Sequence, residues 1–158
     1  MTALTPTFFD FEADFVASLR CIPMQVRYKL DTCGIKLKLE QWHQFAAVER
    51  ERLVIHPCET PTEIAAYRTL LQALIAQYTP TPAQELPIEP HPPWAQADLV
   101  PPAVAAQAQQ WGVAIAPAQW AALTPLERFA LCKLSRPGHE NRNFRSALSE
   151  FNLTEPQG

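Results

Sequence analysis

One stretch of this sequence occurs twice. Laid without a gap against residues 100–131, residues 22–53 bring Pro23 onto Pro101, Val26 onto Val104 and Gly34 onto Gly112. The same register brings Gln41-Trp42 onto Gln119-Trp120, Glu49-Arg50 onto Glu127-Arg128 and Leu53 onto Leu131. These eight identities, a tryptophan among them, exceed the roughly two expected at background frequencies, so the chain reads as internally duplicated. Apolar character follows the register too, with Ile35 on Val113, Leu37 on Ile115, Phe45 on Leu123 and Val48 on Leu126. A duplication demands that both halves spell the same order of elements, and each half tests the reading of the other.

They agree. Pro23 suits the first position of a helix, where its missing N–H costs nothing. Val26, Leu30 and Cys33 then share a face, and Gly34 supplies the left-handed stop. Pro101 to Gly112 has the same punctuation. Cys33 meets Trp111 in this register, as a buried packing position would permit. Ile35 to Leu39 alternates like a strand, but its twin runs into Pro117, so the spacing predicts an extended connector followed by a helix carrying Trp42 and Phe45 inward. The next helix, about 46–55, is expected to turn Val48 and Leu53 to the core and Glu49, Arg50 and Arg52 towards solvent. Thr124-Pro125-Leu126-Glu127 is a capping box with proline at the first helical position, and Thr60-Pro61-Thr62-Glu63 repeats it before the longest helix. There Ile64, Tyr67, Leu70, Leu71, Leu74 and Tyr78 recur at helical spacing. The counterpart after Arg136-Pro137 carries Phe144, Ala147, Leu148 and Phe151. Upstream of the first repeat, Phe15 and Leu19 fit a short amphipathic helix starting at Glu12.

Between the halves, residues 79–102 hold half of the sixteen prolines, too many for a helix interior or a central strand. Leu86, Ile88 and Trp94 favour a strap laid over helices, with a flexible tether as the alternative. The expected architecture is all-α: one helical domain over residues 1–158, with repeat one about 12–78, a proline-rich connector 79–102 and repeat two about 101–153.

The net charge of −3 offers no general attraction for nucleic acid or anionic lipid. No apolar run reaches the length of a membrane span. The start of the chain has Asp10, Glu12 and Asp14 where a secretory signal needs positive charge, so the cytoplasm is expected. Cys21, Cys33, Cys58 and Cys132 contain no C-x-x-C pair and read as reduced core thiols. A metal or iron–sulfur carrier using Cys21, Cys33, His56 and Cys58 is the alternative, and no cofactor is expected otherwise.

Catalytic templates are missing: no phosphate-binding glycine loop, no G-x-S-x-G and no H-E-x-x-H. Glu49 and Glu127, each before an arginine, read as surface or inter-helix ion pairs. Basic residues fall into two groups, since none lies between Arg68 and Arg128. The first, Arg20, Arg27, Lys29, Lys36 and Lys38, reads as a solvated face. The second is Arg128, Lys133, Arg136, Arg142 and Arg145. Within it, Arg136, His139, Asn141, Arg142 and Arg145 form a loop and helix start suited to binding a carboxylate-rich partner.

Several strings carry a resemblance. Phe11-Glu12-Ala13-Asp14-Phe15-Val16, Leu19-Arg20-Cys21-Ile22-Pro23-Met24, Lys29-Leu30-Asp31-x-Cys33-Gly34 and Lys36-Leu37-x-Leu39-x-x-Trp42 closely resemble the nitrate reductase associated protein family of cyanobacteria. So do Arg128-Phe129-Ala130-Leu131 and Lys133-Leu134-Ser135-Arg136-Pro137-x-His139-Glu140-Asn141. The resemblance implies a small soluble protein of nitrate assimilation, needed for an active ferredoxin-dependent nitrate reductase but not itself the enzyme. Its implied partners are nitrate reductase or its maturation factors, and it supplies no catalytic residues.

Overall fold

In the computed structural model the residues described are 9–12, 19, 21–136 and 141–153, the side chains of Asp10, Asn141 and Arg142 excepted. Among them are eight α-helices: α1 (Met24–Cys33), α2 (Leu39–Gln44), α3 (Ala47–Ile55), α4 (Pro61–Tyr78), α5 (Pro102–Gln110), α6 (Pro117–Ala122), α7 (Pro125–Leu134) and α8 (Asn141–Glu150). A two-stranded sheet joins β1 (Ile35–Lys36) to β2 (Gln84–Glu85). The chain is therefore mostly helical, as its periodicity predicts. Its contacts divide it into two units, the first built on Glu12–Ile88 and the second on Phe9–Phe11 with Glu89–Gly158.

In the first unit, Pro23 is the N-cap of α1 and offers no capping side chain. The Glu12 carboxylate does that work from outside, accepting the Met24 N–H at 3.1 Å. Gly34 ends the helix at φ 76, its N–H returning to the Leu30 carbonyl; a residue with a Cβ would be strained there. Thr60 and Glu63 close their capping box at the start of α4. The core gathers Val26, Leu30, Cys33 and Ile35 with Trp42, Phe45, Leu53, Val54, Tyr67, Leu71 and Ile75.

Two expectations for this unit need correction. Val48 is 71% exposed, and Val54 is buried in its place. At 100° per residue, position 48 lies about 140° around the helix from Leu53, so a helix that buries Leu53 and Val54 turns Val48 outward. The extended connector after Gly34 is also more than a connector. Its Ile35 and Lys36 pair antiparallel with Glu85 and Gln84 of the proline-rich segment. That partner lies too far along the chain for local periodicity to reveal it.

In the second unit, α5 buries Val104 and Ala108 and ends before Gly112 at φ 74. Helix α7 begins on the Thr124–Glu127 box, and α8 buries Phe144, Ala147 and Leu148. Phe9, Phe11 and Phe151 form an aromatic cluster with ring centroids 5.2–6.5 Å apart, and the Phe11 N–H donates to Glu150 Oε1 at 3.2 Å. The expected helix from Glu12 to Leu19 falls mostly outside the described residues; Asp10–Glu12 itself is a 3-10 turn. Trp111 is 37% exposed, so positions 33 and 111 do not share a buried role.

The proline-rich segment is a strap over both of its ends. In the first unit, Leu86 donates its N–H to the Gly34 carbonyl at 2.8 Å. In the second, the Trp94 ring meets Phe129 edge-on at 4.9 Å.

Candidate functional site

The residues shared between the halves do structural work on backbone groups. Trp42 Nε1 donates to the Leu19 carbonyl at 2.7 Å, and Trp120 Nε1 to the Gln96 carbonyl at 2.8 Å. Both indoles are fully buried. Arg50 donates to the Trp42 and His43 carbonyls at the end of α2, at 3.1 and 2.8 Å. Arg128 donates to the Leu123, Trp120 and Ala121 carbonyls at the end of α6 and to Trp94 on the strap, at 2.7–3.5 Å. These arginines satisfy the carbonyls that a helix C-terminus leaves open. Glu49 and Glu127 each accept a backbone N–H three residues upstream, and Gln41 and Gln119 do the same for α2 and α6. Glu49 also accepts from the Tyr78 hydroxyl at 2.6 Å. The ion-pair reading of the two Glu-Arg steps is therefore replaced by capping. Arg128, 6% exposed, leaves the surface basic group.

Lys29 leaves the other one. It is 9% exposed and its ammonium donates to the Val54 and His56 carbonyls at 2.5 and 2.7 Å, closing the end of α3. Its Nζ also lies 5.6 Å from the Tyr67 ring centroid. Burial pulls its pKa down to about 8, partly opposed by Cys58 and Glu59. The neighbouring thiols respond in the opposite direction, because burial disfavours thiolate. Cys33 is pushed up to about 11 and Cys58 to about 12, chiefly by burial. Both hold their protons at neutral pH and lean on adjacent carbonyls of α1, Leu30 and Lys29. Cys21 and Cys132 are half-buried, and all four cysteines are free. His56 Nδ1 lies 3.0 Å from the Pro57 carbonyl. Among the described residues no three His, Cys, Asp or Glu side chains converge as a metal would require. Cys21, Cys33, His56 and Cys58 do not form such a group.

The remaining candidates lie where α7 ends and α8 begins. Arg136 is exposed just beyond α7. His139 lies outside the described residues, as do the side chains of Asn141 and Arg142, which open α8. Arg145, exposed on α8, places its guanidinium 5.1 Å from the ring centroid of Trp111. That partner is missed by a reading that assigns position 111 to the core. Its signal in the sequence is slight: a tryptophan one residue before a glycine stop sits at the helix end, where burial is least assured.

No helix among the described residues is long and apolar enough to cross a membrane. No significant match exists among proteins of curated function or among solved structures. A family model described as conserved nitrate reductase-associated protein matches residues 8–151. With that match spanning both units, the chain belongs to the conserved nitrate reductase-associated protein family.

Proposed function

We propose that this chain is a non-catalytic, cytoplasmic accessory protein that binds nitrate reductase or its maturation machinery and is needed for active ferredoxin-dependent nitrate reductase. The family match carries the reading. The fate of the polar side chains supports it. Glu49, Glu127, Arg50, Arg128 and Lys29 are engaged in closing helix ends, which suits a scaffold better than a reaction centre. We take the two units to be copies of one ancestral segment, because the shared residues make the same bonds in each. The partner face is Arg136, Arg142 and Arg145, with His139 and Asn141 beside them, and its partner is rich in carboxylates.

Cells lacking the chain are expected to lose nitrate reductase activity while keeping the reductase polypeptide, and complementation with the Arg142→Glu/Arg145→Glu variant should restore little. Unchanged activity in the deletion strain would end the proposal. Full rescue by the folded double variant would move the partner face elsewhere.

A further inference from the structure

The two units treat the end of their first helix differently. In the first, the strap covers it. Leu86 donates to the Gly34 carbonyl, Gln84 and Glu85 extend the pairing along β1, and Ile88 fills the space beside Gly34 so closely that a Cβ there would meet it at 2.8 Å. Arg68 completes the seat: it donates to the Cys33 carbonyl at 2.8 Å and forms an ion pair with Glu85. A backbone edge, a glycine floor for an apolar side chain and an arginine for a carboxylate thus stand side by side.

The second unit has a comparable backbone edge, glycine and arginine, and no described residue lies on its edge. Gly112 leaves α5 at φ 74, and a Cβ there would meet nothing within 4 Å. No described residue takes the Gly112 carbonyl or the backbone N–H and C=O of Ala114, the positions matching Gly34 and Lys36. Trp111 stands exposed beside this edge with Arg145 over its ring. Arg68 is paired with the Glu85 carboxylate in the first unit, whereas Arg145 faces the Trp111 ring.

We propose that the edge at residues 112–115 accepts an extended, acidic segment of a partner protein by strand addition. An N–H of the segment bonds the Gly112 carbonyl, and the residue two positions before it exchanges both backbone bonds with Ala114. An apolar side chain rests over Gly112 against Trp111, and a Glu or Asp carboxylate takes Arg145. The occupant's chemistry is that of the strap on the first unit, Gln84-Glu85-Leu86-Pro87-Ile88-Glu89, and the positive charge of Arg145 selects an acidic version of it. The inference rests on the partner-binding reading above and gives the partner's chemistry.

The test uses the isotope-labelled full chain and a synthetic peptide of residues 82–90 as probe. Amide shifts are expected at Gly112 to Ile115 and at the Trp111 indole. Arg145→Glu should weaken the peptide about tenfold, the scale of one charge-assisted hydrogen bond, and N-methylation of the peptide's leucine should do at least as much. Three results would overturn the proposal: no shifts at 112–115 with millimolar peptide, shifts confined to Gly34–Lys36 through displacement of the chain's own strap, or concentration-dependent shifts at 112–115 without peptide, which identify a second copy as the occupant. Peptide binding in a chain whose deletion leaves nitrate reductase active would uphold the edge and remove only the identity of the partner.

Discussion

The first and second units begin from the same plan and finish it differently. Each buries a tryptophan whose indole N–H holds a preceding strand of chain, and each uses an arginine on the following helix to close the tryptophan helix. Around that node they part. The first unit has an 18-residue last helix, the second one of 10 residues. The first buries Lys29 and two thiols, and the second places Gln107 and Trp111 at the matching positions of Lys29 and Cys33. The first covers its glycine stop, while no described residue covers that of the second. The lesson is that the residues held in common are those that satisfy backbone groups, whose geometry any helix closed in this way must reproduce. The residues that differ face whatever happens to lie next to them.

Removing the tryptophans tests the shared node most severely. Trp42→Ala and Trp120→Ala should each cost about 3–5 kcal/mol, the range for truncating a fully buried aromatic side chain, read from urea midpoints of the full chain. A large cost at one site and a small one at the other would break the equivalence.

The arginines should separate the units. Arg128→Ala strands several buried carbonyls and is expected to cost about 2–3 kcal/mol. Arg50 is more exposed, water can replace part of its role, and Arg50→Ala should cost about 1 kcal/mol. Lysine at 128 should recover little, because one ammonium cannot span the carbonyls that the planar guanidinium reaches. Equal losses at both sites would contradict the difference in burial.

Glycine substitutions sharpen the contrast in cover. Gly112→Ala meets only the strain of positive φ and should cost about 1 kcal/mol. Gly34→Ala adds displacement of Ile88, about 1 kcal/mol more, and an Ile88→Ala background should remove most of that excess, leaving the crowding of the Leu86 carbonyl oxygen at 3.1 Å. An excess that persists undiminished there would mean that Ile88 does not set the cost.

The smallest effect is a pH signature belonging to the first unit. The Lys29 pKa falls from 10.5 to about 8 on folding, so burial of its charge weighs on the fold below pH 8 and is relieved as pH rises from about 8 to 10.5. The Cys33 and Cys58 pKa values rise from 9.0 to about 11 and about 12. Their favourable contribution is whole below pH 9 and is lost above it, and Cys132 in the second unit, pushed up to about 11, adds to that loss. Stability should therefore rise slightly as pH approaches about 8.5 and then fall, and Lys29→Met should remove the rise but keep the fall. A pH profile of the urea midpoint that is the same in Lys29→Met as in the unaltered chain would show that Lys29 carries no such cost.

Much of this architecture is written locally. Thr60 and Thr124 announce their helices because a capping box needs only four consecutive residues. Gly34 and Gly112 announce helix ends because only glycine enters positive φ without strain. The repeated Gln-Trp and Glu-Arg steps mark matching helices because each glutamine and glutamate caps the helix it sits on. Local patterns of this kind determined the helical class, the order of elements and the two buried tryptophans. Tertiary structure alone decided what each charged or exposed side chain meets. Lys29 and Arg128 look like solvated cations by composition, yet each lies buried against carbonyls supplied by a different helix or by the strap. Val48 and Trp111 look like core residues by register, yet each faces outward. A sequence pattern fixes a residue's angle around its own helix, whereas the neighbour at that angle arrives from a distant part of the chain. For the same reason the open edge beside Trp111 becomes visible only when its covered counterpart at Gly34 stands in three dimensions beside the strap.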